Sequence, residues 1–155
     1  MTPRGSRLLV IDASVMQSAG ETDHPVSSAC RKALLAVLEI CHRVATTERM
    51  RSEWEEHMSR FSRKWLRSMA AHRKSPQNLN PPQIRLDTTG LSNGDCAAIE
   101  KDLHVIAAAL SADRIVITRD EAIRVTLGKT HQGANLVKSI YWINPINQLN
   151  LIESL

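Results

Sequence analysis

Hydrophobic and polar positions alternate along this chain in blocks that read as strands and helices in turn. Arg7-Leu-Leu-Val-Ile-Asp12 is a continuous apolar run ending on an acid, the pattern of a central parallel strand buried on both faces. Asp12-Ala-Ser14 leads into a short helical start, Val15–Ser18, and then a polar loop, Ala19–Ser28. Within that loop His24 reads as a solvated residue rather than a ligand. Ser27 or Ser28 is the expected cap of a helix over Ala29–His42, where Ala33, Leu34, Val37, Leu38 and Cys41 recur at the 3-4 spacing of an amphipathic face. Arg43–Thr46 is a weak second strand. Thr47 caps the next helix, with Glu48 at its positive end.

From Glu48 to Lys74 there is neither glycine nor proline, so this helix either runs unbroken or kinks near Ser59–Ser62. Trp54, Met58, Phe61, Trp65 and Met69 form one stripe at steps of 4, 3, 4 and 4. Packing on the core or on a partner is its first reading, ahead of a platform for stacked bases. Arg60, Arg63, Lys64, Arg67, Arg73 and Lys74 lie mostly off the stripe, and a solvated face and a phosphate-binding face are evenly matched there.

Ser75–Pro82 is a loop-forming break, and Ile84–Asp87 a short extended piece. Ser92–Asp95 is a turn, with Asp95 or Ser92 capping a helix that carries Asp102. Alanines at 107, 108, 109 and 112 let that helix sit close to a sheet. A turn at Ser111–Asp113 gives way to a buried strand, Ile115–Thr118, with Asp120 just beyond it. Glu121–Leu127 reads as a short helix, Gly128–Gly133 as a loop without P-loop spacing, Ser139–Ile143 as a last strand and Ile146–Leu155 as a terminal helix. Strands alternating with helices in this way describe an α/β protein with a parallel sheet.

At 155 residues the chain is expected to form one domain with a full hydrophobic core. Its charge of +4 and pI near 9.3 mildly favour an anionic partner. Cys30, Cys41 and Cys96 are far apart and odd in number, which argues against a zinc site and for idle thiols in a reducing cytosol. Leu8–Ile11 is too short for a signal peptide or membrane span, so a cytoplasmic protein is expected.

The candidate chemistry lies in the acids. Asp12 follows the first strand, Asp120 the later one, and Asp102 shares a helix face with Ile106, Ala109 and Leu110. Asp95 shares that face too but reads as a cap. A fourth acid would come from the helix after Thr47, where Glu48, Glu53, Glu55 and Glu56 compete; Glu53 borders the buried stripe. Two carboxylates about 5 Å apart repel by roughly 3 kcal/mol at an effective dielectric near 20, so three or four together call for a cation or a proton. Oxygen ligands without a His/Cys set point to Mg²⁺ or Mn²⁺, ions that activate water and clamp a phosphodiester. A phosphotransferase using an aspartate after its first strand is the rival, but a second aspartate two residues on is missing, since residue 14 is serine.

Leu9-Val-Ile-Asp12-Ala-Ser14, Thr47 with Glu53 six residues on, Asp102-Leu-His-Val-Ile-Ala-Ala-Ala-Leu110 and Ile117-Thr-Arg-Asp120 together resemble a PIN domain, in the order and spacing of PIN-domain ribonucleases such as VapC-type toxins. The resemblance runs from about Arg7 to Pro145 and is weak from Phe61 to Gly94. It implies a Rossmann-like three-layer α/β/α fold with a mainly parallel sheet, a single domain over residues 1–155 and an extended helical and loop insert around 57–94. It also implies Mg²⁺- or Mn²⁺-dependent cleavage of RNA by activated water. Asp12, Glu53, Asp102 and Asp120 would then be the metal-binding and catalytic acids, with Thr118 orienting the last acid or a water and Ser14 in a supporting position; Glu48 or Glu56 replaces Glu53 if the helix register differs. The alternative is a catalytically silent PIN-like module that binds RNA or a protein partner. A third expectation gives the Trp54/Trp65 stripe to a homodimer or antitoxin interface.

Overall fold

The structure, a computed structural model, describes residues 5–155. Strand β1, Leu8–Ile11, is followed at once by a six-residue helix, α1, Ala13–Ser18, because Asp12 caps it by accepting the Ser14 N–H. Helix α2 spans Pro25–Glu39 and so begins four residues earlier than the expected start at Ala29. The signal is Pro25, whose fixed φ suits the first helical turn where an N–H has no partner to lose. His24 is therefore a cap rather than a free loop residue, its Nδ1 accepting the Val26 N–H at 3.3 Å. The helix stops short of His42 because Cys41 turns left-handed (φ 68°). That turn buries the His42 ring completely, where Nδ1 accepts the Arg7 N–H at 3.0 Å.

Strand β2, Arg43–Thr46, leads through the Thr47 cap into α3, Glu48–His57, and then α4, Arg60–Ala71. The Gly- and Pro-free stretch is thus broken at Met58–Ser59. Tertiary hydrogen bonds outweigh local propensity here. The Ser59 N–H donates to the Met16 carbonyl at 3.1 Å, the Ser62 hydroxyl to the same oxygen at 2.6 Å, and Ser59 Oγ caps α4 by accepting the Ser62 N–H. The stripe packs on the core: Trp54, Trp65 and Met69 are buried, Met58 and Phe61 partly so. Each indole N–H is bonded inside, Trp54 to the Ile11 carbonyl at 3.2 Å and Trp65 to that of Leu34 at 2.6 Å. Neither tryptophan is presented to a base or a partner, which corrects the interface expectation for the stripe.

A two-residue strand, β3, Gln77–Asn78, lies inside the expected loop Ser75–Pro82 and pairs with Ala45 and Thr46. Both residues are exposed and polar, which suits a short sheet edge and leaves no hydrophobic pattern to read. Residues 84–87 form no strand. Helix α5, Asn93–Leu110, is capped by Ser92, whose Oγ accepts the Asp95 N–H; Asp95 itself pairs with Lys129 at 2.8 Å. Strand β4, Ile115–Ile117, is followed by α6, Ala122–Leu127. The expected loop at Gly128–Gly133 instead opens a further helix, α7, His131–Lys138, with Thr130 Oγ1 accepting the Gly133 N–H at 2.9 Å. Gly133 is required because a Cβ there would collide with the Leu127 carbonyl oxygen. Strand β5, Tyr141–Ile143, and helix α8, Pro145–Glu153, close the chain.

All strand pairs are parallel, in the order β3-β2-β1-β4-β5. Helices α2, α4 and α8 pack together on one side, while α5 lies against β1, β2 and β4 and continues through α6 to α7 on the other. This is a three-layer α/β/α fold, with helices on opposite faces because the crossovers from β1 run both ways across the sheet. The core follows the sheet: Leu9, Val10, Ile11, Val116 and Ile117 are at most 1% exposed. Cys30 is buried, Cys96 half-buried and Cys41 exposed, all as free thiols. No helix among the described residues is long and apolar enough to cross a membrane.

Candidate active site

The sheet changes winding direction between β1 and β4, and open parallel sheets place ligands beyond the strand ends at such a point. The Asp12 N–H donates to the Ile117 carbonyl at 2.9 Å and draws the two strand ends together. One carboxylate oxygen of Asp12, Oδ2, accepts from the Ser14 N–H (3.3 Å), the Ser14 hydroxyl (2.6 Å) and the Thr118 hydroxyl (3.0 Å). Each hydroxyl has a single proton and gives it to Asp12, so each is left as an acceptor. Thr118 Oγ1 then accepts the Asp120 N–H at 3.0 Å, and Ser14 Oγ the Arg119 N–H at 3.2 Å. The result is a closed network that orients Asp12 through Oδ2 and fixes the turn carrying Asp120. Asp120 in turn accepts the Ala122 N–H at 2.9 Å at the start of α6.

Helix α5 brings the third acid. Its alanines 108 and 109 are fully buried against the sheet, so Asp102 sits low over the strand ends. Asp12, Asp102, Thr118 and Asp120 line one narrow cavity, walled by Val105, Ile106 and Trp142 among others, with about 10 Å³ free. That is room on the scale of one water. Arg124 covers the outer face of Trp142, its guanidinium carbon 5.4 Å from the ring centroid. Burial, and then the Asp12 and Asp120 carboxylates, push the Asp102 carboxyl up to about 6; Glu53 adds a smaller push and Lys101 opposes it.

Glu53 reaches this group by its field but does not line the cavity. It faces His104 Nε2 at 3.3 Å and Arg49 Nε at 3.8 Å. Arg49 is itself anchored, donating to the Lys101 carbonyl at 3.0 Å. Burial pulls the His104 ring below its usual range, with Glu53 acting the other way. Of the competing acids, Glu55 and Glu56 are exposed on α3, and Glu48 lines a separate open groove of about 1670 Å³ with Arg49, Arg85 and Lys101. The i, i+4 pairing of Arg49 with Glu53 is visible in the sequence; the approach of His104 and the wall made by Trp142 carry no local signal.

Three carboxylates and a hydroxyl make an all-oxygen donor set of the kind that suits a hard divalent cation. As the side chains stand, no group of three or more His, Cys, Asp or Glu among the described residues is close enough to enclose an ion. The donor chemistry therefore fits Mg²⁺ or Mn²⁺ held by one or two carboxylates with water completing the shell, the usual manner for Mg²⁺.

Thr118→Val keeps the shape of a residue that is 3% exposed while removing both its hydrogen bonds. The Asp120 N–H and Asp12 Oδ2 each lose a partner, at an expected cost of about 1–3 kcal/mol in urea unfolding. Thr118→Ser should recover most of it; equal stability of the Val and Ser variants would show that the network is incidental.

Comparison of the chain with protein-family models, with curated proteins and with solved structures finds no match in any of the three.

Proposed function

We propose that this chain is a metal-dependent endoribonuclease of the PIN type, hydrolysing an RNA phosphodiester with activated water. The observation that carries the reading is the gathering of Asp12, Asp102 and Asp120 with Thr118 on one cavity at the switch point of the sheet. One or two of Asp12, Asp102 and Asp120, with water completing the shell, would hold Mg²⁺ or Mn²⁺, which when bound lowers the pKa of a water and neutralises charge on the phosphate. The protein's part is orientation. Ser14 and Thr118 fix Asp12 Oδ2, leaving Oδ1 as its free oxygen among the described residues. Apolar Val105, Ile106 and Trp142 wall the cavity beside half-buried Asp102, Asp120 stands exposed at its mouth, and the mutual repulsion of the acids makes a cation welcome. Glu53, braced by Arg49 and His104, adds negative field from the side.

The test is cleavage of a single-stranded RNA by purified protein with Mn²⁺, beside Asp102→Asn. Loss of at least a hundred-fold in rate is the expected result, on the order of 3 kcal/mol; equal cleavage by the variant removes the assigned site. A second reading is a silent PIN-like module that binds RNA or a protein partner, favoured by the lack of a three-carboxylate enclosure among the described residues. RNA binding without Mn²⁺ uptake by calorimetry and without turnover would select it.

A further inference from the structure

The positive charge of this chain is concentrated in one stretch. Residues 57–86 contain seven Lys/Arg and no Asp or Glu, so their +7 exceeds the whole-chain +4 and leaves the rest at −3. The fold then sorts four of these cations onto one surface. Trp65 and Met69 face the core, which turns Arg60, Arg63, Lys64 and Arg67, at i, i+3, i+4 and i+7, to the exposed side of α4. Little of this charge is neutralised. Lys64 meets Glu21 at 3.3 Å, and Arg63 donates to the Glu55 carbonyl at 3.2 Å. Arg60 and Arg67 have no acidic partner among the described residues.

The position of this face matters as much as its sign. The first turn of α4 is bonded to the Met16 carbonyl in α1, the helix that Asp12 caps. Six helical residues span only about 9 Å. Arg119, next to Asp120, donates to Ser18 Oγ at the far end of α1, the helix whose Met16 carbonyl also holds the start of α4. Along α4 the cations follow one another at about one helical turn, roughly 5 Å, from the end that meets α1. Phe61 is half-buried and both Trp54 and Trp65 are internal, so the face offers point charges and no stacking surface. A surface of that kind holds a phosphate backbone without reading its bases.

We infer that the cationic face of α4, led into by Arg119, is a sequence-independent docking track for the phosphate backbone of a single-stranded RNA whose scissile bond lies at the acid cavity. The choice of RNA rests on the nuclease reading; the track itself rests on the charge layout and its attachment to α1.

The test is fluorescence anisotropy with a labelled single-stranded RNA in EDTA, titrated across salt concentration. Each single-strand phosphate contact contributes about 0.7 to the slope of log K against log salt. R60Q/R63Q/K64Q/R67Q should flatten that slope by about 2–3 and weaken binding at least ten-fold at moderate salt. R60Q/R67Q, which breaks no ion pair, should flatten it by about 1 and keeps the test open if the fourfold variant misfolds. R60K/R63K/R67K should bind as the native chain does, because a phosphate reads charge here. R7Q/K138Q, ahead of β1 and β5 at the opposite edge of the sheet, should change little. Native affinity and slope in both glutamine variants overturn the track, as does binding through α4 to phosphatidylglycerol vesicles without binding to RNA. Binding through α4 with no Mn²⁺-dependent cleavage would remove the nuclease reading and leave the track; cleavage with binding indifferent to α4 would do the reverse.

Discussion

In metal-free buffer at pH 8, Asp102→Asn is expected to be more stable than the native chain. The folded Asp102 carboxyl titrates at about 6 against an ordinary value of 3.8, so the fold holds its proton more tightly than the unfolded chain does. Below 3.8 both states are protonated and the group is neutral in its effect. As pH rises from 3.8 the unfolded chain ionises first, stability falls, and above about 6 the full cost of a charged Asp102 is present. Raising a carboxyl that far corresponds to roughly 3 kcal/mol. Partial solvent access to Asp102 and the polarity of asparagine reduce the expected gain to about 1–2 kcal/mol, or roughly 2–8 °C in melting temperature. The advantage should shrink as pH is lowered from about 6 towards 4. Millimolar Mn²⁺ should reverse the order at pH 8, stabilising the native chain and leaving the variant unmoved. Identical melting of the two proteins at pH 8 without metal would show that neither burial nor the neighbouring acids destabilise a charged Asp102 as placed.

Trp65→Ala should cause the largest loss of stability on α4. The side chain is 2% exposed and its indole N–H donates to the Leu34 carbonyl, which joins α4 to α2. Removing so large a buried aromatic costs about 3–5 kcal/mol, a large share of the roughly 5–15 kcal/mol that stabilises an ordinary domain. Trp65→Phe keeps most of the apolar volume and should cost about 1–2 kcal/mol. Urea unfolding followed by circular dichroism measures both. A folded Trp65→Ala variant within about 1 kcal/mol of the native chain, with a changed sedimentation coefficient, would return the stripe to a partner interface.

How much of this can be read from residues alone depends on whether burial repeats locally. Strands β1 and β4 announce themselves because each carries three internal apolar positions in a row; β2 is equally internal but reads only weakly, since Arg43-Val-Ala-Thr46 has just two apolar residues. Strand β3 does not, since Gln77 and Asn78 are exposed and join the sheet only through main-chain pairing. The α3–α4 break has no decisive local sign because the Met16 carbonyl that causes it lies some forty residues earlier. Helix α7 is masked by its own glycine, which packing against the Leu127 carbonyl demands. At the site, Asp12, Asp102 and Asp120 follow from strand ends and a helix face, and they do line a common cavity. The stance of Glu53 is legible only in part: its i, i+4 pairing with Arg49 follows from spacing along α3, while its approach to His104 is made across a helix–helix contact.

The bond from Thr118 to Asp12 joins residues 106 apart, and that from the Leu8 N–H to Asp113 residues 105 apart. During synthesis, then, β1 must wait for most of the chain before its neighbour β4 exists. Chains grow at about 5–20 residues per second, so the wait is on the order of 5–20 s. Throughout that interval Asp12 lacks both Thr118 and Asp120, and the cationic face of α4 is made well before the acids meet. Under the proposed nuclease and docking readings, a nascent chain would carry its RNA-holding face before its cutting site is assembled.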